Sequence, residues 1–108
     1  MSKFYLAFPM WYVLNVKSGV PLLTPEAYLN GHAIAIFSED TFYKQAIENE
    51  CPVNGRPIKL ENAESFDRIL STAQLEGVPY VALDPNPKTG QPKWSGAISE
   101  IREAIRNR

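Results

Sequence analysis

The stretch HAIAIFSEDTFYKQAIENE, residues 32–50, limits the possible folds of this chain more than any other segment. The run from Ala33 to Phe37 is apolar without interruption and short enough for a strand, and such a strand is normally covered on both faces. Ser38 then offers a side-chain oxygen to the free amides of a new helix, and Glu39 and Asp40 place negative charge in its first turn. The sequence therefore predicts an inner strand that leads directly into a helix capped by Ser38.

The N-terminal part of the chain carries strand signals. The segment Trp11 to Val16 is rich in aromatic and β-branched residues, and Lys17-Ser18-Gly19 after it is a turn signal that leads into Val20 to Leu23. We therefore predict an N-terminal hairpin. Phe4 to Phe8 is either a separate short strand or one turn of helix. Thr24 to Gly31 also stays open, because it has both a helix start and the Asn-Gly signal of a hairpin turn.

The middle of the chain predicts a strand, a helix and a second strand. Arg56 to Glu61 alternates apolar and charged residues, which is typical of a strand that is wet on one face or lies at an edge. Asn62 is placed to cap a helix over Ala63 to Glu76, and Gly77 is placed to end it. The segment Val78 to Leu83 is apolar again and predicts another inner strand. The helix stripes that we expect to pack on the sheet are Phe42, Tyr43, Ala46 and Ile47 in the first helix, and Phe66, Ile69, Leu70 and Ala73 in the second.

The segment Asp84 to Trp94, DPNPKTGQPKW, has three prolines, a glycine and no periodicity, so we predict a loop there. Ser95 is placed to cap a final helix. That helix is predicted to bury Ile98, Ile101 and Ile105 and to expose its charged residues.

Size and charge limit the classes of function. The chain has 108 residues, 44% of them hydrophobic and 21% charged, so we expect one globular domain over residues 1–108. Its formal net charge of −1 provides no excess of positive charge for nucleic acid or anionic lipid, and we expect neither as a partner. Cys51 is the single cysteine, which excludes an intrachain disulfide. The apolar N-terminus contains Pro9 and Asn15 and is too mixed to span a bilayer, so we predict a cytoplasmic protein.

The sequence lacks the common signatures of catalysis and metal binding. It contains no H-E-x-x-H, G-x-S-x-G, Walker loop or G-x-G-x-x-G motif. One histidine and one cysteine are too few for a structural zinc site. His32 and Cys51 would have to be joined by folding to act as base and nucleophile, and their positions beside a turn and before a proline argue against it. We therefore predict no catalytic residue, metal or cofactor, and favour a protein that is not an enzyme.

Two residues are candidates for a binding site. Asp84 follows a predicted inner strand, and ligands of α/β sheets collect at the carboxyl ends of strands. Its alternative role is an Asx turn that leads into Pro85. Trp94 ends the predicted loop, where tryptophan serves either as an exposed interface anchor or as a residue that closes the end of the core.

Three pieces of the chain carry a family resemblance: WYVLNVKSGVPLL, GHAIAIFSEDTFYKQA and ILSTAQLEGVPYVALDP. Over residues 11–85 their order resembles the N-terminal domain of the SseB family, the enhanced serine sensitivity proteins of bacteria. That family has a strand ending in an aromatic and a small hydroxyl residue, like Phe37-Ser38, and a strand running into Asn-Pro or Asp-Pro, like Asp84-Pro85. Its larger members carry a second, C-terminal domain, for which this chain is too short. The resemblance implies an α+β domain of bacterial cytoplasm, and it carries no catalytic residues over.

We predict an α+β fold with a mixed sheet of four or five strands, made of the N-terminal hairpin plus βα units, and about three helices packed on it. The leading hypothesis for function is a non-enzymatic protein-interaction or regulatory module. It would bind a protein partner or a second copy through a sheet edge or the loop Asp84 to Trp94. The alternative is a small-ligand-binding or enzymatic domain with its site at the strand end near Asp84. A third hypothesis is an immunity-type partner of a secreted protein.

Overall fold

The computed structural model describes residues 7–24, 32–86 and 91–107, which form strands and three helices. The predicted α+β class and the three helices are confirmed. The elements are β1 Met10–Asn15, β2 Val20–Pro21, β3 Leu23–Thr24, β4 Ala33–Ile36, α1 Asp40–Glu50, β5 Gly55–Leu60, α2 Ala63–Leu75, β6 Tyr80–Leu83, β7 Trp94–Ala97 and α3 Ile98–Arg106.

The strands form two sheets, where the sequence predicted one. The first has the order β2-β1-β5 and is antiparallel, and the second is mixed, with the order β3-β4-β6-β7. Leu22 joins them, because its N–H donates to the carbonyl of Val13 at 2.8 Å and its own carbonyl accepts from Ala35 at 3.1 Å. The segment Val20 to Thr24 thus leaves one sheet and enters the other at Leu22, which makes a corner of the fold.

A second link between the sheets lies at Trp11 and Phe37. Each of these residues donates its N–H to the carbonyl of the other, and both bonds are 2.8 Å long. The Phe37 side chain is fully buried with Val13, Ala35 and Ala46. The two hydrogen bonds between Trp11 and Phe37 therefore join the sheets directly beside the buried Phe37 ring.

Strand β4 lies inside the second sheet, as predicted from its unbroken apolar run. All four of its residues are buried, and it runs antiparallel to β3 on one side and parallel to β6 on the other. Its side chains supply both sides of the sheet: Ile34 and Ile36 pack with residues of α2 and α3, and Ala35 packs with residues of α1. The predicted inner position of the β6 strand is also confirmed, because β6 lies between β4 and β7.

Helix α1 has the predicted buried face but not the predicted cap. Its apolar residues pack against the sheet as expected: Phe42, Tyr43, Ala46 and Ile47. The helix begins at Asp40, with Glu39 at the N-cap and no side-chain capping bond. The prediction that Ser38 caps α1 was wrong, because the Ser38 side chain bonds to Asp84.

Helix α2 follows its sequence signals closely. Asn62 accepts from the backbone N–H of Ser65 at 2.9 Å, and the Ser65 hydroxyl lies 3.2 Å from the backbone nitrogen of Asn62, which together form a capping box. Phe66, Leu70 and Ala73 are buried, as the predicted stripe requires, and Ile69 is half-buried. The helix ends before Gly77, which has a positive φ of 83° that glycine adopts without strain.

Helix α3 packs beside α2. Ile98 and Ile101 are buried and Ile105 is partly buried, as predicted. Arg102 holds the two helices together, since its guanidinium donates to Asp67 and to Gln74, both at 2.9 Å. The prediction that Ser95 caps this helix was wrong: Ser95 lies in β7, and the N-cap is Ala97.

The N-terminal hairpin is confirmed by the pairing of β1 with β2. The Asn15 carboxamide accepts from the backbone N–H groups of Lys17 and Ser18, and Gly19 has a positive φ of 73° in the turn. Phe8 precedes β1 and packs edge-on against Phe66. Most of the two open segments, Phe4 to Phe8 and Thr24 to Gly31, lies outside the described residues. The strand predicted from the alternating segment Arg56 to Glu61 is β5, at an edge of the first sheet.

Candidate functional site

The carboxyl ends of β4 and β6 lie at the same edge of the second sheet, because these two strands are parallel neighbours. Ser38 lies just beyond the end of β4, and Asp84 lies just beyond the end of β6. The N–H of Asp84 donates to the carbonyl of Ile36 at 2.7 Å, which extends the pairing of the two strands by one residue. This is the position in an α/β sheet at which ligands commonly bind.

The Asp84 carboxylate is buried and joined to Ser38. Its side chain is only 2% exposed. One oxygen accepts from the backbone N–H of Ser38 at 2.8 Å, and the other accepts from the Ser38 hydroxyl at 2.6 Å. The backbone of Asp84 has a φ of +49°, which aspartate tolerates better than most residues. These side-chain bonds join residues 46 positions apart in the chain. The Asp84 carboxylate therefore connects the ends of β6 and β4, in addition to any role within its own turn.

Lys93 lies beside the same carboxylate. Its ammonium is 3.8 Å from Asp84 Oδ2 and 4.4 Å from the centre of the Phe42 ring, in cation–π geometry. The Lys93 side chain remains 62% exposed. A surface cation is thus held between a buried carboxylate and an aromatic ring.

These residues line an open groove of about 310 Å³ between the first turns of α1 and the β6–β7 connection. We call it the α1 groove; its lining residues are Phe42, Gln45, Asp84, Pro85, Asn86, Gln91, Pro92 and Lys93. The connection is closed across its base by a bond from the Asn86 N–H to the Gln91 carbonyl at 2.8 Å. Among the described residues, the groove is lined by the Phe42 ring, two prolines, carboxamide side chains, the Asp84 carboxylate and the Lys93 cation.

Trp94 occupies a different environment from Asp84. It is the first residue of β7, it is half-buried opposite Leu83, and it packs with the core beside α2 and α3. Its indole lies over Gly96, where a Cβ atom would come within 2.8 Å of ring carbon Cζ2, so the ring needs a glycine beneath it. Trp94 does not line the α1 groove. The structure thus places the two candidate residues at the same end of the β6–β7 hairpin, but only Asp84 in the groove.

The strand β7 was missing from the sequence-based prediction, which placed Trp94 at the end of a loop. Strand β7 is four residues long, Trp-Ser-Gly-Ala, and pairs antiparallel with β6 from Tyr80–Ala97 to Leu83–Trp94. Ser38, Lys93 and Phe42 were not recognised as neighbours of Asp84 either. The Asp84-Pro85 step after an apolar run marked the right strand end, but no local signal identified the residues that fold against it.

The edges of the two sheets differ in chemistry. The outer edge of β5 carries Arg56, Pro57 and Lys59, all of them exposed. Val13, which lies opposite Pro57, bonds to Leu22 on its far side, so the missing N–H of Pro57 falls on the outer side of β5. Proline and charge on an edge discourage pairing with another strand. Strand β7 contains neither a proline nor a charged residue, and among the described strands it lies at the edge of the second sheet opposite β3.

The other reactive side chains considered from the sequence, His32 and Cys51, lie outside the α1 groove. His32 is exposed before β4, and Cys51 follows α1. Burial, and secondarily the charge of Glu50, raises the pKa of the Cys51 thiol, so it stays protonated near neutral pH. Within residues 7–24, 32–86 and 91–107, no group of three or more His, Cys, Asp and Glu residues is arranged to hold a metal ion. In the same residues, no helix has both the length and the apolar character needed to cross a bilayer.

A scan against protein-family models gives no match to this sequence, and a search of curated proteins gives none either.

Proposed function

We propose that this chain is a non-enzymatic protein-interaction domain that binds an extended segment of a protein partner along the outer edge of β7. The observation that carries the proposal is the contrast between β5 and β7, which are two of the four described edge strands of the sheets β2-β1-β5 and β3-β4-β6-β7. The β5 edge has a proline and exposed charges that oppose strand addition, whereas β7 is neutral and has neither. An edge strand that lacks these features is a template for strand addition, in which backbone hydrogen bonds provide the affinity.

The orientation of the β7 backbone supports this use. The N–H of Ile98 donates to the carbonyl of Pro79 at 2.9 Å, which makes the neighbouring pair Tyr80–Ala97 one without mutual hydrogen bonds. By the alternation of a strand, the N–H groups of Ser95 and Ala97 therefore point away from β6. Both residues are half-buried, and in the described part of the chain β7 has a neighbouring strand on its β6 side alone.

The described ends of the loop that precedes β7 are fixed in place on the α1 side of the sheet. Pro85 and Pro92 restrict the backbone where the loop leaves the sheet and where it returns. Lys93, which precedes β7, is positioned by Asp84 and Phe42. Its ammonium is thus directed toward α1 and the ends of β6 and β4, and selectivity at the outer edge of β7 would come from the side chains of the strand itself.

The proposal predicts that the purified chain binds extended peptides at β7. Panning a random peptide library should enrich sequences that alternate apolar residues, because a bound strand presents alternate side chains to the sheet. In amide NMR spectra, such a peptide should shift the signals of Ser95 and Ala97 and leave Lys59 of β5 unchanged. Enrichment of no peptide, or shifts centred on β5, would count against the proposal.

The α1 groove supports a second candidate function, the binding of a small ligand, with or without chemistry. Its basis is the groove of about 310 Å³ in which Lys93, Phe42 and the Asp84 carboxylate meet. A small anionic or planar compound would have a cation and an aromatic face to contact there.

This second function predicts that a compound in a metabolite library raises the melting temperature of the chain. Lys93→Met should abolish the shift, because it removes the charge and keeps the apolar stem. Lys44→Met is the matched control, since the Lys44 side chain is 67% exposed, close to the 62% of Lys93, and lies outside the groove. If the compound still raises the melting temperature of Lys93→Met, it binds outside the α1 groove.

Relation to the SseB family and a place in bacterial cytoplasm remain proposals as well. The support for the first is the sequence resemblance over residues 11–85, and the support for the second is the single cysteine. Neither nucleic acid nor membrane lipid is proposed as a partner, since the net charge is −1.

A further inference from the structure

The outer edge of β7 can pair with a copy of itself. The backbone groups of Ser95 and Ala97 on this side alternate with Gly96, which pairs with Val81 of β6. Two β7 strands that meet antiparallel about a twofold axis at Gly96 bring Ser95 of one copy opposite Ala97 of the other. Each copy then donates the N–H of Ala97 to the carbonyl of Ser95 in its partner, so the edge is complementary to itself.

The side chains at this edge favour close approach. The central residue, Gly96, has no side chain and is covered by the Trp94 indole on one face of the sheet only, and the two residues beside it are among the smallest, a serine and an alanine. Pairs without mutual hydrogen bonds bring strands about 4.5 Å apart at Cα, and glycine is well suited to that spacing. A net charge of −1 on each chain produces little repulsion between two copies.

We infer that the chain forms a twofold homodimer through antiparallel pairing of β7 with β7 of a second copy, which joins the two four-stranded sheets into one continuous sheet. This inference rests on the proposed function, and it names a second copy as the partner. The pairing strand has only four residues, so the interface is smaller than the roughly 1,600 Å² of a standard stable complex. The dimer is therefore expected to form with a dissociation constant in the micromolar range or weaker.

Ala97→Pro tests the dimer, because it removes an outward N–H and leaves the intramolecular pairing intact. Ala97 has a φ of −73°, which proline adopts without strain, and the residue before it is a glycine in a strand, a conformation that is compatible with a following proline. Because the dimer is twofold symmetric, the N–H of Ala97 makes two hydrogen bonds in the interface, one from each copy. We expect sedimentation to give a dimer fraction that rises with concentration in the natural chain, and a dissociation constant about 10- to 100-fold higher in Ala97→Pro.

The matched control is Ala97→Ser, which keeps the N–H and should associate like the natural chain. Circular dichroism and thermal unfolding establish that both variants are folded. A natural chain that is monomeric up to near-millimolar concentration, or a dimer that Ala97→Pro leaves unchanged, overturns the inference. If the chain is monomeric but extended peptides still shift the Ser95 and Ala97 signals, the dimer is wrong and the proposed function stands. If neither copies nor peptides bind at β7, both are wrong.

Discussion

Replacing Phe37 by alanine is expected to lower the free energy of unfolding by about 3–5 kcal/mol. Its ring is completely buried between the two sheets, in contact with the cluster that includes Val13, Ala35 and Ala46. Alanine would leave a cavity at the place where the backbones of Trp11 and Phe37 join the sheets, and those neighbours can relax only partly. Urea unfolding followed by circular dichroism would measure the change.

Phe42→Ala is the matched control for this prediction. Phe42 belongs to the edge of the same cluster, but it is only partly buried and has Lys93 above its ring. Its loss should lower the unfolding free energy by about 1–2 kcal/mol. Equal effects of the two substitutions would mean that Phe37 does not have the buried position described for it.

A series of substitutions at Asp84 should separate its backbone role from its side-chain role. Asp84→Ala removes both acceptors of the Ser38 bonds and keeps a side chain at a φ of +49°, so we expect a loss of about 2–4 kcal/mol. Asp84→Gly loses the same bonds but relaxes the backbone, and should be about 1 kcal/mol less harmful than alanine. Asp84→Asn keeps one acceptor and a tolerance of positive φ, so its loss should be about 1–2 kcal/mol.

Ser38→Ala provides the complementary measurement from the other partner. It removes only the 2.6 Å bond from the hydroxyl and keeps the 2.8 Å bond from the backbone N–H, so its loss should be about 1 kcal/mol. The double variant Ser38→Ala with Asp84→Ala should be less harmful than the sum of the two, because both single changes remove the same bond. Simple additivity would indicate that the two side chains do not interact in solution.

Much of the fold follows from local sequence signals. The apolar run from Ala33 identified β4 as an inner strand, because its residues have no polar alternation and are all buried. Asn62 predicted the start of α2 and Gly77 its end, since capping and positive φ depend on residues that are close in sequence. The spacing of Ile98, Ile101 and Ile105 predicted the buried face of α3 for the same reason.

The features that the sequence did not indicate depend on distant contacts. Ser38 has the chemistry of a helix cap, and only folding brings a buried carboxylate close enough to compete for its hydroxyl. Strand β7 contains a glycine and only four residues, so its extended form depends on pairing with β6 and not on propensity. The division into two sheets results from the backbone bonds of Leu22 to Val13 and Ala35, and every residue type except proline can make both of these bonds.

The candidate site was therefore predicted in part. Asp84 was singled out by its position at a strand end, and the structure places it beside Ser38 and Lys93 at the groove. Trp94 was singled out by its residue type, and the structure places it against the core instead of in the groove. Whether either residue contacts a partner remains a prediction.

The corner at Leu22 has a consequence for how this molecule comes apart. The Leu22 N–H donates to Val13 of one sheet and the Leu22 carbonyl accepts from Ala35 of the other, so displacing this residue removes a hydrogen bond from both sheets at once. Local openings are thus expected at the turn between β1 and β2, while the two sheets lose their order together in one cooperative transition. The domain should have no half-folded state in which one sheet persists alone.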